Sequence, residues 1–399
     1  LYPFKGTMMP APNARRLYTG PAILSLGFRP FFLAGALWAI VAVMLWLPQY
    51  FGELTLETAF QPLDWHAHEA LFGYVAAIVT GFLFTAVPNW TGRLPMQGRP
   101  LLLLLLVWLA GRVAVAFSAT TGWALAALVD CAFLALVFAA VAREIVAAKN
   151  LRNLKVLIFV GLLLAANVVF HIEAHAQGSA TYGRRFGVAA TIALVMLIGG
   201  RVIPSFTHTF LQRRGPGRLP IPFNRFDGFC IGGSVAALAG WVLAPDNRIV
   251  GLMLIAAGVL NLVRLARWAG DRTSSEALVL ILHLAYLFVP LGFVLSGMAA
   301  WTDIPFSAGL HAWAVGAIGV MTLAVMTRAS LGHTGQALRA GSGVQAIYAA
   351  VLLAAAARIV AALAPQWSFV LLHVAALAWA FAFFGFILAF GGALLRPKS

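Results

Sequence analysis

Charge is what this chain has least of. Of its 399 residues only 10% are Asp, Glu, Lys or Arg, and only 12 of those are acidic. So little charge excludes the hydrated surface of an ordinary soluble domain. Cysteine is scarcer still: Cys131 and Cys230 are the two in the chain, each inside an apolar run. Two isolated thiols exclude a disulfide framework and a thiolate metal cage, and read as small buried apolar groups. No CxxCH segment occurs, which excludes c-type haem attachment, and no cluster of acids forms a carboxylate cage. What is there instead is hydrophobic, 62% of the chain, in runs that recur from about residue 27 to 391 between short Gly- and Pro-containing breaks. A helix crosses a bilayer in about 20 apolar residues. On that unit the chain is an all-α integral membrane protein of twelve transmembrane helices, starting near residues 27, 66, 100, 121, 153, 183, 226, 247, 276, 307, 343 and 367.

The formal charge of +15 must be set against this topology before it is read as a nucleic-acid signal. Of the 27 basic residues, 21 fall on one side of the twelve-helix arrangement; Arg184, Arg185 and Arg248 fall on the other, and Arg112, Arg201 and Arg358 within spans. By the positive-inside rule both termini are expected in the cytoplasm of a multi-pass protein of the bacterial inner membrane. The loop over 48–64 agrees, with Glu53, Glu57 and Asp64 and no Lys or Arg. No basic patch with interleaved aromatics points to nucleic acid. The expected organisation is a cytoplasmic tail over 1–26, a membrane domain over 27–391 and a second cytoplasmic tail over 392–399. LYPFKGT, residues 1–7, reads as a cloning remnant, and no cleavable signal peptide is evident, so the first span would act as an uncleaved anchor.

A weak internal repeat is visible. FTAVPNWTG (84–92), GRVIPSFTH (200–208) and TRASLGHTG (327–335) align so that Thr91, Thr207 and Thr334 coincide, at spacings of 116 and 127 residues. LAGRVAVAF, LAGWVLAP and AAARIVAALAP echo this in the third, seventh and eleventh helices. The expectation is three pseudo-repeated arcs of four helices. An offset of 243 then carries His68 onto His311 and Gly73 onto Gly316.

Six of the nine histidines share the periplasmic leaflet on this topology: His66, His68, His171, His175, His311 and His373, with Trp65, Glu69 and Glu173. Ionisable groups at membrane depth are costly and point to function. His171 and His175 are four apart, on one helix face, with Asn167 a turn earlier. His66 and His68 in WHAHE project about 200° apart on a helix, so one ion cannot take both without unwinding. Glu69 follows His66 by three and is placed to orient its ring or supply protons. His373, His208 and His333 read as hydrogen-bonded or snorkelling interfacial groups. Imidazole ligation of haem b, copper or non-haem iron suits the layer. Arg184 and Arg185 are placed to hold haem propionates, whereas Asp130 and Arg112 are buried charges with no assignable partner.

The segments GFRPFFLAGALW (27–38), WHAHEALFGYVAAIVTGFLFTAVPNWTGR (65–93), LIGGRVIPSFT (197–207) and HAWAVGAIGVMTLAVMTRASLGHTG (311–335) closely resemble the NnrS family of bacterial integral membrane proteins, over essentially the whole chain from about residue 15. The resemblance implies a role in nitric oxide metabolism and nitrosative stress, and bound haem and copper. A looser, fold-level similarity links the chain to haem-copper oxidases and their nitric oxide reductase relatives, which have twelve helices in three arcs and a haem clamped between the second and tenth helices. This chain departs from them: its HxH is on the second helix, and the paired histidines of the seventh are absent.

The resulting expectation is a haem b protein, with one or two haems and copper or non-haem iron as a further metal. Its periplasmic-side centre binds nitric oxide and reduces it to nitrous oxide with electrons from an unidentified donor. His68 and His311 are expected to ligate one haem. His66 is expected on a second haem, or as the third imidazole of a metal site with His171 and His175. Glu69 or Glu173 would be proton donor or extra ligand. A non-turnover nitric oxide sensor or scavenger and a metal or iron-nitrosyl transporter remain the alternatives. Partners are nitric oxide and membrane lipid.

Overall fold

The computed structural model describes residues 18–150 and 153–397; the segment 1–7 lies outside the described residues. Among the described residues twelve helices are long and apolar enough to cross a membrane: α1 Phe28–Tyr50, α2 Pro62–Thr91, α3 Arg99–Ala116, α4 Trp123–Ala147, α5 Leu154–Gln177, α6 Thr181–Leu211, α7 Arg225–Leu243, α8 Arg248–Ala266, α9 Ala277–Met298, α10 Phe306–Thr334, α11 Ser342–Leu363 and α12 Pro365–Leu395. The expected count holds, and each start lies within four residues of the sequence-based position. No strand occurs among the described residues. In a bilayer every backbone N–H and C=O must bond internally, and long helices meet that demand. α12 runs to Leu395, four residues past the expected end of the membrane domain.

Local chemistry sets the helix ends. Pro62 opens α2 at a position whose N–H would have no helical partner. α7 begins with a capping box between Asn224 and Asp227. Gly92 and Gly178, at φ 70° and 75°, stop α2 and α5 in the left-handed conformation that glycine adopts without a Cβ clash. Leu128 and Leu388 are 70% and 69% exposed, as lipid-facing side chains should be.

Two helices are not wound uniformly. α2 is α-helical over Pro62–His68, π-helical over Glu69–Val75 and α-helical again over Ala76–Thr91. α10 repeats the pattern, with α winding to His311, π winding over Ala312–Val320 and α winding from Met321. Such π segments are rare and collect at functional sites.

The chain divides into two compact units: one of residues up to Gly187 with Ala329–Gln336 and Phe386 onward, the other of Val188–Arg328 with Ala337–Gly385. In the first unit, buried Arg29 of the GFRPFF segment donates from Nη1 to the carbonyls of Leu394 and Arg396, at 2.8 Å each, and of Ala393. A cation so placed satisfies the carbonyls at the C-terminus of α12. In the second unit, α8 and α9 approach through glycines: a Cβ on Gly297 would lie 2.6 Å from the Gly251 carbonyl oxygen. Small residues permit this contact, the usual basis of helix association in lipid. A buried chain also runs there from Asp227 to Arg264, Tyr286, Asn261 and Ser234.

Candidate metal centre

The first unit places four helices around one buried polar cluster. α2 contributes His68 and Glu69 at the start of its π segment, α3 contributes Arg112, α4 Asp130, and α5 Asn167 and His171. His68 and Glu69 are fully buried, and Arg112, Asp130, Asn167 and His171 are exposed by 3% or less. Asn167 and His171 share a face because they are four apart on α5.

Arg112 sits between the two carboxylates. Its Nη1 donates to Glu69 Oε2 at 2.6 Å and its Nη2 to Asp130 Oδ1. Asp130 Oδ2 is the point of convergence: Asn167 Nδ2 donates to it at 2.7 Å, while His68 Nε2 and His171 Nε2 lie 3.1 and 3.0 Å away. His68 Nδ1 faces Glu69 Oε1 at 3.0 Å and Trp38 Nε1 donates to Glu69 Oε2 at 2.7 Å. Glu69, expected beside His66, bonds the ring of His68, the residue next to it in the chain.

His68 Nε2 also faces Asn167 Oδ1 at 3.1 Å, so acceptors surround both of its nitrogens. A lone pair on Nε2 pointing at a carboxylate oxygen is repulsive, so the geometry calls for a cation between them, a proton or a metal ion. One nitrogen each of His68 and His171 and one oxygen of Asp130 lie within 4.8 Å of one another. Two imidazoles and one carboxylate are the donor set of an open transition-metal site. Phe60, Phe72 and Phe170 cover the His68 ring at centroid distances of 5.0, 5.2 and 5.3 Å. A haem plane against that ring would have to displace them.

Gly73 makes the packing possible: a Cβ there would lie 2.6 Å from Trp38 Nε1, 2.7 Å from Glu69 Oε2 and 2.8 Å from Arg112 Nη1. Asp130 and Arg112, which had no partner in the sequence, are central to the site. The signal that marks them is their ionisable character inside a span.

The other expected site residues lie elsewhere. His66 stacks on Trp46 at 4.0 Å, on the opposite side of α2 from the cluster, as the 200° spacing required. His175, one turn further along α5 than His171, is exposed and stacks on Trp123 at 4.2 Å. Glu173 accepts the backbone N–H groups of Tyr182 and Gly183 at 2.9 and 2.8 Å, closing the N-terminus of α6. Arg184 pairs with Asp64 at 3.1 Å, and Arg185 lies over the Tyr182 ring. His311 belongs to the second unit and donates from Nδ1 to the Ser307 carbonyl at 2.6 Å.

A family model described as NnrS protein matches residues 22–398. The chain belongs to the NnrS family. Membership makes it a membrane protein related to nitric oxide, and the family's association with haem and metal meets a buried His-Asp-His cluster in this NnrS chain. No curated protein matches the chain.

Proposed function

We propose that this NnrS chain detoxifies nitric oxide at a transition-metal ion held by His68, Asp130 and His171, and reduces it to nitrous oxide with electrons from an external donor. The supporting observation is the convergence of two imidazole nitrogens and one carboxylate oxygen within 4.8 Å in a buried, charge-compensated pocket. Such an ion, iron or copper by its donor set, would supply the open position for nitric oxide and the route for electrons. The residues around it do the rest. Glu69 holds the His68 ring through Nδ1 and so aims Nε2 at the ion. Asn167 fixes the Asp130 oxygen that would ligate. Arg112 offsets the charge of both acids, which the span would otherwise leave uncompensated. Phe60, Phe72 and Phe170 exclude water. Nitric oxide is uncharged and enters lipid, so it needs no polar channel. The positive-inside bias puts both termini in the cytoplasm of the bacterial inner membrane, and the cluster toward the other face. Haem b is not assigned to His68, whose ring is packed against Phe60, Phe72 and Phe170.

Reduction of two nitric oxide molecules to nitrous oxide and water takes two electrons and two protons. Glu69 is fixed by three donors, His68, Trp38 and Arg112, and Glu173 by two backbone N–H groups. Carboxylates so engaged are poor proton donors, and this favours a second reading in which the centre captures nitric oxide without turnover. Anaerobic nitric oxide consumption by metal-quantified protein with an artificial reductant separates the two. Many equivalents consumed, with half as many of nitrous oxide formed, supports reduction. Uptake that stops near one per metal supports capture, and no uptake by metal-loaded protein overturns both.

A further inference from the structure

We propose that the first unit holds an anionic phospholipid in a pocket between the ends of α2 and α4 and the start of α3. Its acyl chain would lie on an apolar floor and its phosphate on Arg93 and Arg143. The pocket is a cavity of about 210 Å³. Phe84 and Val87 of α2, Val141 of α4, and Pro95 and Met96 of the loop after α2 line it with apolar groups. Thr91, Gln97, Arg143 and Glu144 supply its polar groups.

Depth separates the two sets. α2 and α4, separated by one span, run the same way; Thr91 is the last residue of α2, and Glu144 lies three before the end of α4. At about 1.5 Å per residue, Phe84 lies about 10 Å deeper than Thr91, and Val141 about 5 Å deeper than Glu144. Apolar groups below and charges at the helix ends follow the order of acyl chain and headgroup in a leaflet, the cytoplasmic one by the positive-inside bias. The loop wall is already fixed. Gln97 Nε2 donates to the Ser25 carbonyl at 2.7 Å, and the Gly98 N–H to the Leu24 carbonyl at 2.9 Å. A wall pinned in this way needs little ordering when a ligand arrives.

Glu144 gathers the cations at the rim. Arg93 Nε donates to its Oε2 at 2.5 Å, and Arg143 Nε and Nη2 to its Oε1 at 3.0 and 2.9 Å. Two guanidiniums on one carboxylate leave one positive charge. Arg93 Nη1 and Nη2 and Arg143 Nη1 bond to nothing among the described residues, and the two side chains are 46% and 70% exposed. Free guanidinium N–H groups match phosphate oxygens, and basic pockets between membrane helices take anionic headgroups. A zwitterionic lipid would bring another cation to the same rim, so the charge selects an anionic one. Free phosphate would use the arginines and leave the apolar floor uncovered. The pocket joins α2 and α4, which also carry His68 and Asp130, but needs no ion at that cluster.

The test is titration of fluorescent phosphatidylglycerol into the delipidated, detergent-solubilised full-length chain, with folding followed by gel filtration. Each arginine near an anionic headgroup is worth about fivefold in affinity, so Arg93→Gln/Arg143→Gln should bind about 30-fold more weakly. Arg213→Gln, which removes an exposed arginine just past α6, should bind as the parent does. Met96→Trp, which fills the pocket and keeps both arginines, should also weaken binding. A folded double variant that binds phosphatidylglycerol as tightly as the parent overturns the proposal. So does phosphatidylcholine bound as tightly as phosphatidylglycerol, or glycerol phosphate that displaces the lipid at equal concentration.

Discussion

Replacing Arg112 with methionine would keep a long, flexible side chain in α3 and remove the one guanidinium that Glu69 and Asp130 share. The three groups are exposed by 2%, 0% and 1% at their side chains, so water cannot take over the lost contacts. Deleting one partner of a buried ion pair costs about 3–5 kcal/mol, because the other charge is left uncompensated. Here two carboxylates lose the same partner, and the upper end, about 5 kcal/mol, is expected. That is enough to lower the thermal midpoint of the detergent-solubilised protein by many degrees, measured by tryptophan fluorescence or by gel filtration after heating. The double variant Arg112→Met/Glu69→Gln removes one of the stranded charges. It should be more stable than Arg112→Met alone, with a coupling of about 0.5–3 kcal/mol. Charge compensation as the basis of the cluster is refuted if Arg112→Met unfolds within about 1 kcal/mol of the parent. It is refuted equally if the double variant is no more stable than the single one.

The remaining predictions probe its neighbours. Gly73→Ala pushes a methyl group into Trp38, Glu69 and Arg112, and overpacking of this kind costs about 1–3 kcal/mol; an unchanged melting midpoint and metal content would show that the cluster yields freely. His171→Ala should abolish metal retention at the His-Asp-His cluster while His175→Ala leaves it intact, read by metal analysis; equal losses would return His175 to the ligand set. Glu173→Gln should cost about 0.5–2 kcal/mol through the weakened closure of α6 and leave nitric oxide consumption unchanged, whereas a loss of consumption with a normal melting curve would give Glu173 a proton-transfer role.

Much of this could be read along the chain because it follows from one-dimensional rules. An apolar run of bilayer length must be helical in lipid, so the twelve spans were legible from composition and runs, while the family was legible only from the resemblance of whole segments such as residues 65–93. Helical periodicity separated His66 from His68 before any packing was known. It also aligned His171 with His175, but periodicity is silent on depth. One further turn along α5 is enough to put His175 beside Trp123 and outside the cluster.

What only the tertiary structure decided is the set of partners. Asp130 is 62 residues from His68 and 18 from Arg112, and no spacing rule connects residues on separate spans. Which ring Glu69 holds was likewise decided there, with its Oε1 3.0 Å from His68 Nδ1. The sequence dictated that buried charges in an apolar medium must find compensation, since desolvation is too costly otherwise. Which side chains provide it depended on how α2, α3, α4 and α5 pack, and that is a property of three-dimensional contact.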